Sequence, residues 1–259
     1  FADGNCDGNY SNSLAGATYA YTGENDGDWA GVALTATGDV DADGVPDMLV
    51  GARYNSDNGE RAGKIYLISG AQLGQSTDLG SLPSFVGETP GDWLGYAVGY
   101  AGDTNGDGVA ELLMAGLHHQ NDRGAVYLVN GGSGLDQQGQ NVAELADLKL
   151  LGEEEGDLLG VSVYAAGDVD GDQRSDLLIG AHKAGGSFET APGKAYLVLS
   201  SGLISQGGEQ SIVDASYVFL GENAGDETGR FVSGVEDFDG DGLAELMIAS
   251  PWSDQRGED

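Results

Sequence analysis

The fold predicted for this chain is all-β: an array of four-stranded antiparallel blades arranged as in a propeller, with the last blade incomplete. Three observations predict it. The chain repeats itself at a step near 65 residues, and each repeat holds short runs of strand-forming residues bounded by Gly, Asp or Asn. No stretch keeps a helical period over more than three turns.

Two markers carry the repeat. GDVDADGVPD at 38–47 is echoed by DTNGDGVAE at 103–111, DVDGDQRSD at 168–176 and DFDGDGLAE at 237–245; from Asp39 the steps are 64, 65 and 69 residues. GENDGDWAG begins at Gly23, GETPGDWLG at Gly87, GEEEGDLLG at Gly152 and GENAGDETG at Gly221, with the same three steps. Two motifs locked in phase define one structural unit. The units run 23–86, 87–151, 152–220 and, incomplete, 221–259, within a blade region 14–259 that follows an acidic segment, 1–13.

Each element follows from its residues. In the first unit, Trp29 to Thr37, Met48 to Tyr54, Lys64 to Ser69 and Ser84 to Val86 are rich in Val, Leu, Ile, Tyr and Phe and read as strands. The second unit repeats them at Leu94 to Ala101, Leu112 to Leu117, Ala125 to Val129 and Leu148 to Leu151, with Val142 to Leu150 able to make a short helix. Leu14 to Thr22 matches a fourth, outer strand of a preceding blade, and the last unit stops after its second strand, at Trp252. Four short strands per unit suit a propeller blade, which buries both faces against its neighbours; a solenoid is the other geometry allowed.

Composition narrows function. The 259 residues carry 43 acids against 10 bases, a net charge of −33, which disfavours nucleic acid and anionic membrane surfaces. No apolar run approaches the roughly 18 residues of a membrane span. The single cysteine, Cys6, makes no internal disulfide. With Phe1 first and no signal-peptide pattern, the chain reads as a processed protein or a window on a longer one.

The acidic loops supply metal chemistry. Numbered from their first acid, they offer oxygen ligands at positions 1, 3, 5 and 9 and a backbone carbonyl at 7. The sets are Asp39, Asp41, Asp43, Val45 and Asp47; Asp103, Asn105, Asp107, Val109 and Glu111; Asp168, Asp170, Asp172, Arg174 and Asp176; and Asp237, Asp239, Asp241, Leu243 and Glu245. Calcium accepts six to eight hard oxygens in irregular geometry, and these loops supply neither His nor Cys for zinc or copper. A helix–loop–helix calcium site is disfavoured, because the closing acid is ninth rather than twelfth and strands flank the loop. Four sites are expected, the third weakest, since Gln173 stands where the other loops have Gly at position 6 and a left-handed backbone there costs ~1–2 kcal/mol. In millimolar calcium, a site with a dissociation constant one hundredfold lower adds about 2.7 kcal/mol. The string Asp3, Asn5, Asp7, Gly8 has Ser11 in ninth place and is set aside as a site.

Strand, acidic loop, strand at this period resembles the FG-GAP repeat of integrin α-subunit-type β-propellers and their bacterial relatives. The Phe-Gly element falls at Ala30-Gly31, Leu94-Gly95, Leu159-Gly160 and Thr228-Gly229, with Gly kept and Phe absent. The Gly-Ala-Pro element falls at Gly51-Ala52-Arg53, Ala115-Gly116-Leu117, Gly180-Ala181-His182 and Ala249-Ser250-Pro251. The resemblance covers about residues 14–251 and implies calcium in the hairpin between the first and second strands of each blade. It also implies a partner surface on the opposite face, from the loops around 54–62, 118–123 and 183–192 and the GExxGD turns.

The expected function is therefore a calcium-binding extracellular or cell-surface adhesion module without catalysis, its ligand a protein or a glycan. A lectin-type propeller, a filament or surface-layer subunit self-associating through its incomplete blade, and an accessory domain of a secreted enzyme are the alternatives. Trp29 and Trp93, in the same phased position, pack a blade joint or line a sugar cleft. His118, His119 and His182 all follow the second strand of their units and are expected on exposed loops.

Overall fold

In the computed structural model, the residues described are 17–253 apart from 75, 188 and 189. The acidic segment 1–13, with Cys6, lies outside them, as do the first residues of the strand expected at 14–22. Sixteen strands are present among the described residues. The first unit forms β1 (Ala33–Ala36), β2 (Met48–Ala52), β3 (Lys64–Ile68) and β4 (Ser84–Val86). The second forms β5 (Leu94–Gly102), β6 (Glu111–Gly116), β7 (Ala125–Val129), β8 (Gln140–Asn141) and β9 (Leu148–Leu151). The third forms β10 (Ser162–Gly167), β11 (Asp176–Ala181), β12 (Lys194–Val198), β13 (Gly208–Ser211) and β14 (Tyr217–Leu220). The fourth has β15 (Phe231–Val235) and β16 (Glu245–Ala249).

Three antiparallel four-stranded meanders and one two-stranded hairpin result: β1-β2-β3-β4, β5-β6-β7-β9, β10-β11-β12-β14 and β15-β16. Their first strands neighbour one another in chain order, β1 against β5, β5 against β10 and β10 against β15. This is the inner wall of an incomplete β-propeller.

Alternation explains why both faces of each blade are buried. Successive strand residues point to opposite faces. Leu112 and Met114 of β6 therefore enter the core shared with the first blade, alongside Leu49, Ile65 and Phe85. Leu113 and Ala115 enter the next core, with Leu177, Ile179 and Tyr196.

Four details depart from the sequence reading. The first strand begins at Ala33 rather than Trp29, because Trp29 adopts φ +58 and its carbonyl accepts the N–H of Val32, closing a turn. The helix expected over Val142 to Leu150 is a single turn, Val142–Leu145, ahead of β9.

The third departure is a fifth strand on each of two sheets. β8 pairs in parallel with β4, and β13 with β9. Each comes from the following unit's connection between third and fourth strands, so the second and third units each clasp the outer edge of the blade before them. The clasp ends in a cap: Asn141 and Ser211 accept the N–H of Ala143 and Val213, and the next residues, Val142 and Ile212, are buried. Asp78 repeats this in the first unit, accepting from Gly80 ahead of buried Leu79, and it bridges in parallel to Thr22. The fourth is that, among 17–22, only this bridge represents the outer strand expected at Leu14 to Thr22.

Candidate metal loops and the opposite loop face

Each acidic loop is the hairpin between the first two strands of a blade, and its acids organise it before any ion is considered. The Asp39 carboxylate accepts the N–H of Asp43 at 3.0 Å and of Gly44 at 2.8 Å; Asp41 accepts from Asp43, and Asp43 from Val45. The other loops repeat the pattern, Asp103 taking Gly106, Asp107 and Gly108, and Asp168 taking Gly171, Asp172 and Gln173. The chain thereby curls around one point, with two residues in the left-handed region. Position 6 has φ +90 at Gly44, +87 at Gly108, +68 at Gln173 and +94 at Gly242; position 4 has +61 at Ala42 but is Gly in the other loops. The first loop thus carries a backbone cost like that of the third, which the motif at position 6 did not reveal.

The curl brings carboxylate oxygens together within 4.8 Å of one another in four groups: Asp39, Asp41 and Asp43; Asp103, Asp107 and Glu111; Asp168, Asp170 and Asp176; Asp237, Asp239, Asp241 and Glu245. Asp47 and Asp172 stand outside these groups. Asp47 is 1% exposed and accepts the N–H of Val40 and Gly70, tying its loop to the end of β3, while Asp172 accepts Ser200 Oγ. Asn105 donates to Glu111 and its carbonyl oxygen accepts the Asp107 N–H. An all-oxygen donor set of this kind fits a hard divalent cation.

Burial shifts the ninth-position acids. It raises Glu111 from 4.5 to about 7 and Asp176 from 3.8 to about 6, helped by neighbouring loop acids and opposed by the backbone N–H groups of Thr104 and Ser200. Asp41 is raised by burial and then by the charge of Asp47.

The opposite face is built from the GExxGD turns. Their aspartates, Asp28, Asp92, Asp157 and Asp226, are all buried. Asp92 accepts the backbone and hydroxyl of Thr89, Asp157 the N–H of Glu154, Asp226 the N–H of Asn223, and Asp28 the amides of Asn25 and Asn55. The following residue is left-handed in every copy, at Trp29, Trp93, Leu158 and Glu227.

The glutamates clip the blades. Glu24 accepts Lys64 Nζ at 2.7 Å and Tyr66 Oη at 2.9 Å; Glu153 accepts Lys194 at 2.5 Å and Tyr196 at 3.0 Å. In the second blade Ala125 replaces the lysine, yet Glu88 still accepts Tyr127 and a lysine, because Lys149 stands across from Tyr127 on β9. Burial, with the glutamate beside them, pushes all three phenols well above their ordinary range.

Across the joint of the first two blades runs a row of rings, Trp29, Tyr54, Trp93 and His118, with centroids 4.8, 4.8 and 4.0 Å apart. Trp29 is 53% exposed, so this tryptophan does not pack the joint as a core residue. Two histidines correct the expectation of exposed loops: His119 is buried and meets Asp92 at 3.1 Å, and His182 is buried among charges, its pKa lowered to about 4 by burial.

A family model described as FG-GAP repeat matches residues 30–68, which hold β1, the first acidic loop, β2 and β3. This stretch of the chain is similar to an FG-GAP repeat. Over 231 residues, 83% of its length, the chain is 28% identical to "Integrin alpha-5" of Xenopus laevis, covering 19% of that protein. It is 29% identical to "Integrin alpha pat-2" of Caenorhabditis elegans over 58% of the chain and 13% of the relative. With "Integrin alpha-7" of Rattus norvegicus it shares 32% over 40% of the chain and 10% of the relative. The chain spans about a fifth or less of the length of these curated relatives. No helix among the described residues is long and apolar enough to cross a membrane.

The FG-GAP residues have a packing reason. The glycine of the first element meets the second element of the blade before it: a Cβ on Gly51 would lie 2.2 Å from the Gly95 carbonyl oxygen, and one on Gly180 would lie 1.8 Å from that of Gly229.

Proposed function

We propose that this chain is a non-catalytic adhesion or binding module working outside the cell or at its surface, with calcium holding the blade hairpins. The observation that carries the reading is the recurrence, in each of four hairpins, of carboxylate oxygens gathered within 4.8 Å of one another on a chain similar to integrin α subunits. Asp39, Asp41 and Asp43 would hold the first ion with the Val45 carbonyl while Asp47 braces the loop from behind, and the gathered acids of the other three loops, with the carbonyls of Val109, Arg174 and Leu243, would hold the remaining three. Bound calcium supplies positive charge that offsets repulsion among the acids.

Consecutive connections of a meander alternate ends, so the loops around 54–62, 118–123 and 183–192 and the GExxGD turns stand opposite the calcium hairpins. There, without the hairpins' structural duty, they offer a ligand face. Titration calorimetry with calcium tests the metal reading and should give about four ions per chain. Retention of a soluble protein ligand on immobilised chain, present in calcium and lost with chelator, tests the binding role; retention only on a glycan array would favour the lectin.

Self-association is a second reading with its own observation. Among the described residues no strand pairs with the outer edge of β14, and Tyr217, Val218, Phe219 and Leu220 are exposed there, with Phe231 and Met247 exposed on the last hairpin. Such an edge accepts strand addition. Mass rising with concentration in light scattering would favour it.

A further inference from the structure

On a chain with four times as many acids as bases, two of the arginines that stand without a carboxylate share one loop face. Among the described residues all four lysines and Arg230 are ion-paired, whereas Arg53, Arg61, Arg123 and Arg174 are in no ion pair; Arg123 is held by the backbone carbonyls of Gly152 and Glu153, while Arg53 and Arg61 both lie against the ring of Tyr54. The Arg53 guanidinium instead lies 4.7 to 5.2 Å from the ring centroids of Trp29, Tyr54, Trp93 and Tyr96, and Arg61 lies 5.0 Å from that of Tyr54. The Arg53 Nε is buried with no hydrogen-bond partner.

Most acids of the same loops are already engaged, with Glu60 and Asp26 exposed to solvent. Asp28 is held by Asn25 and Asn55, Asp57 by Lys64, Asp92 by Thr89 and His119, and Asp122 by His118. No carboxylate among the described residues pairs with either guanidinium, so the planar acceptor that a guanidinium fork matches is left to a ligand. Trp, Tyr and Arg are also the residue types that dominate binding energy at protein interfaces. The rings here meet at 44°, 76° and 57°, interlocking around the cation rather than forming the flat platform a sugar would stack upon.

We propose that Arg53 and Arg61, set in this aromatic box, form the recognition site for a carboxylate side chain of a protein ligand. The inference rests on the binding-module reading and names the chemistry of its ligand face. A net charge of −33 repels an acidic partner at long range, but beyond about 10 Å salt screens that field. The site therefore suits an isolated Asp or Glu on a neutral or basic surface, not an acidic tract.

The test is an array of peptides in calcium, each carrying a central Asp or Glu and paired with its Asn or Gln twin, with short oligoglucuronates spotted beside them. Intact chain should be retained at least tenfold more on the acidic members, and Arg53→Gln with Arg61→Gln should reduce retention to that of the amide twins while the melting temperature holds. Should Arg53→Gln melt early, Arg61→Gln alone and Arg53→Lys, which keeps charge but loses the fork, carry the same expectation. Retention indifferent to the carboxylate, or unchanged in the variants, overturns the inference and leaves the binding module standing. Retention on no peptide overturns both, and retention only on oligoglucuronates overturns the protein ligand.

Discussion

Gly51 of the first blade packs against Gly95 of the second so closely that a Cβ on Gly51 would lie 2.2 Å from the Gly95 carbonyl oxygen. Because the obstacle is backbone, neither partner can give without shifting a blade. Gly51→Ala should destabilise the chain by at least about 1–3 kcal/mol. Gly180→Ala, facing Gly229, should do the same. The second blade supports this: Ala115 stands at the position of Gly51 and is accommodated by Gly160, whose added Cβ would meet the Ala115 Cβ at 2.9 Å. Denaturant unfolding in calcium checks the pair, with Gly160→Ala as the reciprocal variant.

Two loops hold non-glycine residues in the left-handed region, Ala42 at φ +61 and Gln173 at φ +68, both exposed. Ala42→Gly and Gln173→Gly should each stabilise by up to ~1 kcal/mol by removing the Cβ penalty, against the greater freedom of Gly when unfolded. Unfolding in chelator and in calcium separates a backbone gain from a change in ion affinity.

Glu153 accepts both Lys194 Nζ and Tyr196 Oη, and Tyr196 is fully buried. Glu153→Ala leaves a largely buried ammonium and a buried phenol unpaired, at a cost of about 3 kcal/mol. Tyr196→Phe removes one donor and leaves the ion pair, so it should cost about 1 kcal/mol. A ratio near unity between the two losses would refute the clip as drawn.

The ninth-position acids predict a pH dependence for the ion-free chain. Glu111 titrates at about 7 when folded against 4.5 as its ordinary value, and Asp176 at about 6 against 3.8. A raised acid pKa means the fold holds a proton that the unfolded chain gives up. Its stabilisation is present at low pH and is lost as pH rises through the folded value. His182, lowered from 6.5 to about 4, works in the opposite sense below 6.5. Between about pH 8 and pH 6.5, where Glu111 dominates, chelated protein should melt higher at the lower pH. Saturating calcium should abolish or reverse that ordering, because the ion favours the ionised acids.

Much of this was legible in the sequence because phase converts weak local signals into position. The acidic loops, the four-strand blades and strands β4, β7 and β9 stand where the apolar runs put them. The clasps were not legible, since β8 has two residues and pairs with a strand more than fifty positions away, leaving no periodicity to read. Nor was the role of the GExxGD letters, because burying Asp92 and pairing Glu88 with Lys149 are long-range events. The relocation of the second blade's lysine from β7 to β9 breaks the sequence pattern while keeping the contact. In the metal loops the acids were identifiable but their division of labour was not. Asp47 turns inward to the backbone of Val40 and Gly70, and Ala42 takes a strained position that the glycine at 44 concealed.

The central claim is that cations hold the blade hairpins, and the thermal midpoint at neutral pH, measured in millimolar calcium and again in excess EDTA, tests it most directly. With about 2.7 kcal/mol per well-occupied site, loss of even two ions should lower the midpoint by roughly 10 °C or more. An identical midpoint in calcium and in EDTA would contradict the account.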